Sequence, residues 1–97
     1  MGQEQSLTGR PRERAKAKAK AERPHVCEMC RLPIDMTADP KRDPLACCVD
    51  EWFPRHLGGS AVDPENLRLL HRHCNGSKWK RWPVTDAMRA RCRANIE

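Results

Sequence analysis

The chain has 97 residues and is poor in large apolar side chains, with three Trp, one Phe and no Tyr. A single domain of this length buries only a modest core, and such domains are commonly stabilised by a metal or by disulfides. The first 25 residues lack the apolar segment of a secretion signal, and no stretch approaches the length of a membrane-spanning helix. We therefore expect a reducing cytoplasm and no membrane partner, so paired cysteines indicate metal ligands rather than disulfides.

The formal charge of +6 is spread unevenly along the chain. Residues 1–25 hold seven Lys or Arg and three Glu (+4), residues 26–75 hold six basic and eight acidic side chains (−2), and residues 76–97 hold six basic and two acidic side chains (+4). Basic flanks attract polyanions, and an acidic centre can bind a hard cation. This distribution suits a nucleic-acid-binding protein, although two solvated surfaces would give the same pattern.

Residues 1–24 are predicted to form a basic flexible arm ahead of a domain at 25–97. Gly9 and Pro11 discourage regular structure, and residues 15–21 alternate Ala and Lys without an apolar stripe. We expect a disordered segment or a frayed helix. Such an arm can order on a phosphate backbone or serve as a solubilising tail.

The domain predicted from residue 25 onward alternates loops, two short strands and two helices. Leu45–Phe53 is the best candidate for a strand, and Pro54 ends it. Turns are expected at the Gly58-Gly59 pair and around Pro64. The predicted elements follow in the order loop 31–43, strand 45–53, strand 67–70, helix 71–81 and a last basic helix from residue 85 or 86 to about 95.

Two pairs of cysteine and histidine residues have the spacing of a zinc site. Cys27 and Cys30 form a Cys-x-x-Cys knuckle, which is half of a tetrahedral site. His71 and Cys74 are three residues apart, so both can face one side of a helical turn. His73 is a poorer candidate than His71 because one intervening residue makes a poor clamp. The set predicts a closed Cys3His site with structural Zn²⁺, the alternative being a redox pair.

The remaining three cysteines are not needed for this site. Cys47 and Cys48 are adjacent on a predicted strand, so their side chains would point to opposite faces, and we interpret them as small apolar fillers. Cys92 stands alone in the last helix and is interpreted as a bystander.

A series of motifs follows in the middle of the chain, in the order Val49-Asp50-Glu51-Trp52-Phe53-Pro54, Gly58-Gly59, Asn66-Leu67, His71-Arg72-His73-Cys74-Asn75 and Lys78. Their order and spacing resemble the signature of the HNH endonuclease family over about residues 25–80. The resemblance implies an α+β fold, namely a small ββα-metal domain stapled by a structural zinc. The basic N-terminal arm and the C-terminal helix would flank it.

The resemblance also implies roles for residues of this chain. Asp50 and Asn75 would ligate a catalytic Mg²⁺ or Mn²⁺, and Asn66 would order the loop, although on its own it is an ordinary turn residue. Glu51 stands where the family has its general base, a histidine, and an unperturbed glutamate is a weaker base by about two pKa units. Glu51 is therefore the expected base or a further metal ligand, and His56 is a second candidate.

Basic residues after the signature are expected to bind DNA phosphates, which gives affinity without sequence readout. These residues are Lys78, Lys80 and Arg81, followed by Arg89, Arg91 and Arg93. Trp79 and Trp82 are expected to pack in the core rather than stack on bases. The resemblance thus implies a metal-dependent DNA endonuclease of a bacterial cytoplasm, and it leaves phage or prophage origin open. The alternatives are a non-catalytic zinc module that binds DNA or protein, and a nuclease active only with phage packaging proteins.

Overall fold

The computed structural model describes residues 10–78 and 81–96. Within these ranges the chain has an α+β fold with three α-helices and one two-stranded antiparallel sheet. The elements are α1 (Arg10–Glu22), β1 (Cys47–Glu51), β2 (Leu67–His71), α2 (Arg72–Lys78) and α3 (Asp86–Ile96). Two short 3₁₀ helices, Arg55–Leu57 and Pro64–Asn66, lie between the strands. None of the described helices combines the length and apolar character that a membrane span requires.

The two strands form a hairpin whose register decides which side chains lie together. Five residue pairs join them: Cys47 with His71, Cys48 with Leu70, Val49 with Leu69, Asp50 with Arg68, and Glu51 with Leu67. Side chains alternate between the two faces of a strand, so Cys48 and Asp50 share one face while Val49 and Glu51 share the other. The strand is shorter than the predicted span 45–53, because the backbone N–H of Phe53 pairs with the side chain of Asn66 instead of a strand.

The core is small and contains cysteine as well as aliphatic side chains. Its largest fully buried members include Met29 and the three leucines of β2, which are Leu67, Leu69 and Leu70. Cys27, Cys30 and Cys74 are buried to the same degree. The sulfur cluster is thus part of the core, as expected for a chain too poor in apolar residues to build a larger one.

Part of the segment predicted to be a flexible arm, either disordered or a frayed helix, is a helix that packs on the rest of the chain. Residues 10–22 form α1, and Ala15 and Ala19 are only 5% and 2% exposed within the core cluster. These two alanines are four residues apart and lie on one face of the helix, so an apolar stripe does exist. This stripe is not recognisable in the sequence, because alanine recurs at every second position there. Residues 1–9 of the predicted arm lie outside the described residues.

The C-terminal end of α1 is attached to the strand region by Arg23. Its guanidinium donates to the carbonyl oxygens of Leu67 at 2.7 Å, Pro64 at 3.1 Å and Glu65 at 3.1 Å. A single arginine can make these three hydrogen bonds because its planar guanidinium carries several N–H donors, which the ammonium group of lysine does not offer in this geometry. The helix is therefore held in place both by alanine packing and by a polar anchor.

The last helix follows the prediction closely. Thr85 caps α3, because its Oγ1 accepts a hydrogen bond from the backbone N–H of Met88 at 3.2 Å. Met88 and Cys92 are four residues apart and form the buried face of the helix. Helix α2 begins at Arg72, one residue later than predicted, because His71 is still paired in the sheet.

The loop between the strands is closed by Asn66 and needs a glycine at position 59. Asn66 Oδ1 accepts from Phe53 N at 2.8 Å, and Asn66 Nδ2 donates to Phe53 O at 3.0 Å and Ser60 O at 2.9 Å. A Cβ on Gly59 would lie 1.9 Å from Phe53 O and 3.0 Å from Asn66 Nδ2. The loop backbone therefore approaches Phe53, just after β1, more closely than any larger residue allows.

Replacing Gly59 by alanine is expected to lower the free energy of unfolding by about 2 kcal/mol or more, because the clash is with backbone rather than with a flexible side chain. Gly76→Ala is the matched control. It adds the same methyl group in a helix where nothing lies within 4 Å, so it should be neutral or stabilise by up to about 1 kcal/mol. Urea unfolding followed by circular dichroism measures both, and equal stability of the two variants would contradict this account of the loop.

Candidate metal centre and the neighbouring carboxylate pair

Four buried side chains come together as the sequence predicted and can hold a metal ion. Cys27 and Cys30 come from the knuckle, His71 ends β2, and Cys74 lies in the first turn of α2. One ligand atom from each lies within 4.8 Å of all the others. Sulfurs around a tetrahedral Zn²⁺ are about 3.8 Å apart, so this spacing suits a single ion. His73, the competing histidine, lies outside the group.

The imidazole of His71 is oriented for binding through Nδ1. Nδ1 lies 3.3 Å from Cys30 Sγ and 3.8 Å from Cys74 Sγ. On the other side of the ring, Nε2 lies 3.0 Å from the carbonyl oxygen of Pro33. A carbonyl only accepts, so Nε2 carries the proton and donates it, which leaves the lone pair of Nδ1 directed at the cysteines. This outer hydrogen bond is the arrangement that fixes the tautomer of metal-binding histidines.

The sulfur of Cys27 receives the most hydrogen bonds in the cluster. The backbone N–H groups of Cys30 and His71 each donate to it at 3.4 Å. The side-chain hydrogen bond with Cys74 and these amides outweigh burial and lower the pKa of Cys27 to about 4. The same hydrogen bond, together with burial, raises the pKa of Cys74. The lowered pKa of Cys27 favours its thiolate, the form of cysteine that binds metals.

Two arginines of α3 hold the backbone of the knuckle instead of facing solvent. Arg89 donates to the carbonyl oxygen of Met29 at 3.1 Å, and Arg93 donates to that of Cys30 at 3.1 Å. The prediction that Arg89 and Arg93 contact phosphates therefore differs from their observed contacts. Arg91, between them, is exposed.

A pair of carboxylates on β1 is held by arginines from two other segments. Arg12 of α1 lies 2.5 Å from Glu51 Oε2 and 3.6 Å from Asp50 Oδ1. Arg55 lies 3.4 Å from the other oxygen of Glu51, Oε1. The side chain of Glu51 is only 8% exposed, whereas that of Asp50 is 30% exposed. One carboxylate is thus enclosed by positive charge, while the other remains accessible.

The environment of Glu51 makes it a poor proton acceptor in this conformation. Burial alone would raise its pKa, but the hydrogen bond and charge of Arg12, with the charge of Arg55, outweigh burial and lower it. A general base near neutral pH needs a raised pKa. Sequence reasoning missed Arg12, because it lay in the predicted arm and no motif surrounds it.

Asn75 reaches the face of β1 that carries Asp50. Its Nδ2 donates to Cys48 Sγ at 3.4 Å. Cys48 is two residues before Asp50 on the same face of the strand, so α2 directs Asn75 to the side of the hairpin where Asp50 lies. Cys48 is therefore more than an apolar filler. Asn75 Oδ1 makes no hydrogen bond with any described residue, which leaves an amide oxygen for a ligand.

Lys78 was predicted to bind phosphate, but its side chain is buried. Only 4% of the residue is exposed, and its Nζ donates to the backbone oxygen of Glu51 at 3.2 Å. Nζ also lies 5.6 Å from the ring centre of Trp52 and 5.7 Å from that of Trp82. Burial lowers the pKa of Lys78, although the charges of Asp50 and Glu51 partly compensate. Lys78 thus packs against two indoles that also contact each other, at the end of β1.

The other predicted DNA contacts have different positions. Arg81 is exposed and donates to the carbonyl oxygen of Ser77 at 3.4 Å. Lys80 and Trp79 lie outside the described residues. Trp82 packs edge-on against Trp52 with ring centres 5.7 Å apart, in keeping with a packing role for this tryptophan.

Replacing Arg12 by glutamine is expected to lower stability at neutral pH by about 1–2 kcal/mol, because a buried carboxylate loses its main partner. A carboxylate with a lowered pKa contributes its full stability above its unfolded pKa, about 4.5, and loses it as the pH falls through the folded value. The difference between wild type and Arg12→Gln should therefore shrink below about pH 4.5.

The measurement is urea unfolding of both proteins across this pH range. Arg14→Gln is the control, since Arg14 is exposed on the same helix. A difference between wild type and Arg12→Gln that does not change with pH would exclude the ion pair with Glu51 as its cause.

The chain was compared with models of protein families, with curated proteins and with solved structures, and none of the three comparisons finds a match. The candidate site combines a buried Cys3His cluster that can hold a metal ion with a partly exposed Asp50 and an amide, Asn75, directed to the same side of the hairpin.

Proposed function

We propose that the chain is a metal-dependent DNA endonuclease that hydrolyses phosphodiester bonds by an HNH mechanism. One observation carries the proposal: Asn75 of α2 donates to Cys48, which lies on the same face of β1 as Asp50, so the two oxygen-bearing side chains face the same side of the hairpin. A module that binds only a structural zinc ion does not need oxygen ligands for another metal ion at a second site. Their order along a strand, strand and helix unit agrees with the family signature that the sequence resembles.

The Cys3His cluster is proposed to hold a structural Zn²⁺. Three cysteines and one histidine complete a tetrahedral site, which leaves no position for substrate. Every ligand is buried, and the cluster joins the knuckle to β2 and α2. A zinc ion there supplies cross-linking energy that the small apolar core lacks.

Protein purified without added metal is expected to contain one zinc per chain, measured by elemental analysis. Cys27→Ser and Cys74→Ser should lose zinc and unfold, because metal-binding energy is folding energy in such domains. Cys47→Ser is the control, since Cys47 is only half-buried and lies outside the cluster. A folded, zinc-free wild-type protein would exclude this role.

The residues beside the zinc cluster suit a hard divalent cation. Asp50 has an accessible carboxylate and Asn75 an amide oxygen without a partner among the described residues, and Mg²⁺ and Mn²⁺ prefer oxygen ligands. Such an ion would supply positive charge to a phosphate oxygen and to the leaving oxygen. Asn66 contributes by fixing the loop after β1, through its three hydrogen bonds to Phe53 and Ser60.

The identity of the general base depends on Arg12. Glu51 can accept a proton from water only after Arg12 and Arg55 release its carboxylate, because both oxygens are engaged and its pKa is lowered. His56 is the other candidate, since its residue is exposed in the 3₁₀ helix after β1. The imidazole of His56 has no ion pair among the described residues that must first break.

A non-catalytic, zinc-dependent binding module is the second candidate function. The observation that favours it is the same ion pair, because Arg12 already neutralises much of the charge that would attract a divalent cation. The two candidates differ in one respect that can be measured, which is metal-dependent cleavage that requires Asp50. A nuclease active only inside a phage packaging assembly would behave like the binding module when isolated.

Wild-type protein is expected to nick supercoiled plasmid DNA when Mg²⁺ or Mn²⁺ is added. Asp50→Ala should reduce the rate at least about a hundredfold through loss of the cation, and Asp50→Asn should be partly rescued by excess Mn²⁺. Glu51→Gln and His56→Ala identify the base, because the rate of the variant that lacks it should fall and lose its dependence on pH.

Zinc content and folding of each variant are controls, since Asp50 and His56 are outside the Cys3His cluster. Cleavage by wild type no faster than by Asp50→Ala would reject the nuclease for the isolated chain and favour the binding module. Equal cleavage by wild type and Glu51→Gln would retain the nuclease and reject Glu51 as its base.

A further inference from the structure

A basic groove lies between α1, β1 and the start of α2. It has a volume of about 310 Å³, and its lining includes Lys16, Lys20, Arg72, Cys47, Cys48 and Val49. Three of these side chains are cationic, and none of the described residues that line the groove is acidic. The two cysteines are half-buried and form part of its wall. A concave surface lined by charge of one sign concentrates the electrostatic field, so the groove attracts anions.

The lysines are held in place, because α1 is docked rather than free. Arg12 joins its first turn to the carboxylates of β1, and Arg23 joins its end to the backbone around β2. Ala15 and Ala19 pack into the core between these anchors. Lys16 and Lys20 are four residues apart, so they project from one face of the helix with their backbones about 6 Å apart along its axis. That spacing is comparable with the distance between neighbouring phosphates of a nucleic-acid strand.

Each basic side chain retains groups that can bind an anion. Lys16 lies 4.0 Å from Glu13, whose side chain is 71% exposed and can move away from it. Lys20 is exposed. Arg72 uses Nη1 to donate to the carbonyl oxygen of Lys41 at 3.3 Å, which leaves the other nitrogens of its guanidinium for a phosphate.

We propose that this groove binds the phosphate backbone of a DNA strand, which makes α1 part of the nucleic-acid interface. The choice of DNA rests on the proposed function. Cys48 lines the groove and also contacts Asn75, so a strand lying there would pass the side of the hairpin that carries Asp50. The groove thus holds the backbone next to the group of oxygen donors.

A membrane surface suits this groove less well than a DNA strand. Helices that bind membranes insert an apolar face, but the apolar face of α1, formed by Ala15 and Ala19, is already buried in the protein. A flat lipid surface also cannot enter a recess, whereas a single backbone can.

The test compares two double variants of α1 with equal loss of charge. Lys16→Ala with Lys20→Ala removes the groove lysines, while Arg14→Ala with Lys18→Ala removes two exposed charges from the opposite side of the helix. The affinity for a short fluorescent DNA duplex is measured by anisotropy over a series of salt concentrations, without added divalent cation so that no cleavage occurs. The groove variant should bind about tenfold more weakly at low salt, and its log–log salt slope should fall by nearly 2. The control should lose less than half as much.

Equal weakening in both double variants would overturn the proposal, because it would show a general effect of charge. Absence of DNA binding by wild type would also overturn it, as would wild-type binding to phosphatidylserine vesicles but not to DNA. If only the proposed nuclease activity is wrong, DNA binding still depends on Lys16 and Lys20, but plasmid DNA is not cut. Cleavage with unchanged DNA affinity in the groove variant would retain the nuclease and reject this groove.

Discussion

The buried cluster of Cys27, Cys30, His71 and Cys74 is the constraint on which the other contacts depend. It joins a loop near residue 30 to the end of β2 and the start of α2, which are about 40 residues away in the chain. Closing a loop of this length is entropically costly, and a few apolar side chains recover little of that cost. The hairpin and α2 meet at the cluster, so its position also determines where Asp50 and Asn75 lie.

Arginine side chains make many of the other contacts that join the helices to the strands and to the knuckle. Arg23 attaches α1 to the backbone before β2, Arg89 and Arg93 attach α3 to the knuckle, and Arg12 attaches α1 to β1. An arginine covers apolar surface with its stem while its head satisfies several carbonyl oxygens. In a chain with few aromatic residues, such contacts replace part of the packing that a larger core would provide.

The parts of the fold that follow from local pattern were predictable from the sequence. The Cys-x-x-Cys and His-x-x-Cys spacings indicated the cluster, and short apolar segments, the first ended by Pro54, indicated both strands. A candidate cap at residue 85 or 86 indicated the start of α3. The packing of α1 was not predictable, because alternating Ala and Lys has a period of two rather than that of a helix, and its partners in β1 and β2 are distant in the chain. The same limit applies to Lys78. A lysine near a basic terminus suggests a surface position, and only the tertiary structure places it against two indoles.

The contact of Arg12 with Asp50 and Glu51 makes the docking of α1 and the binding of any cation at Asp50 thermodynamically linked. A cation at Asp50 competes with the guanidinium, so it weakens the attachment of the helix. By reciprocity, whatever pulls the first turn of α1 away from β1 raises the affinity of Asp50 for a cation by the same factor. The N-terminal helix and the acidic face of the hairpin therefore behave as two coupled parts of one equilibrium, although they are about 40 residues apart in the chain.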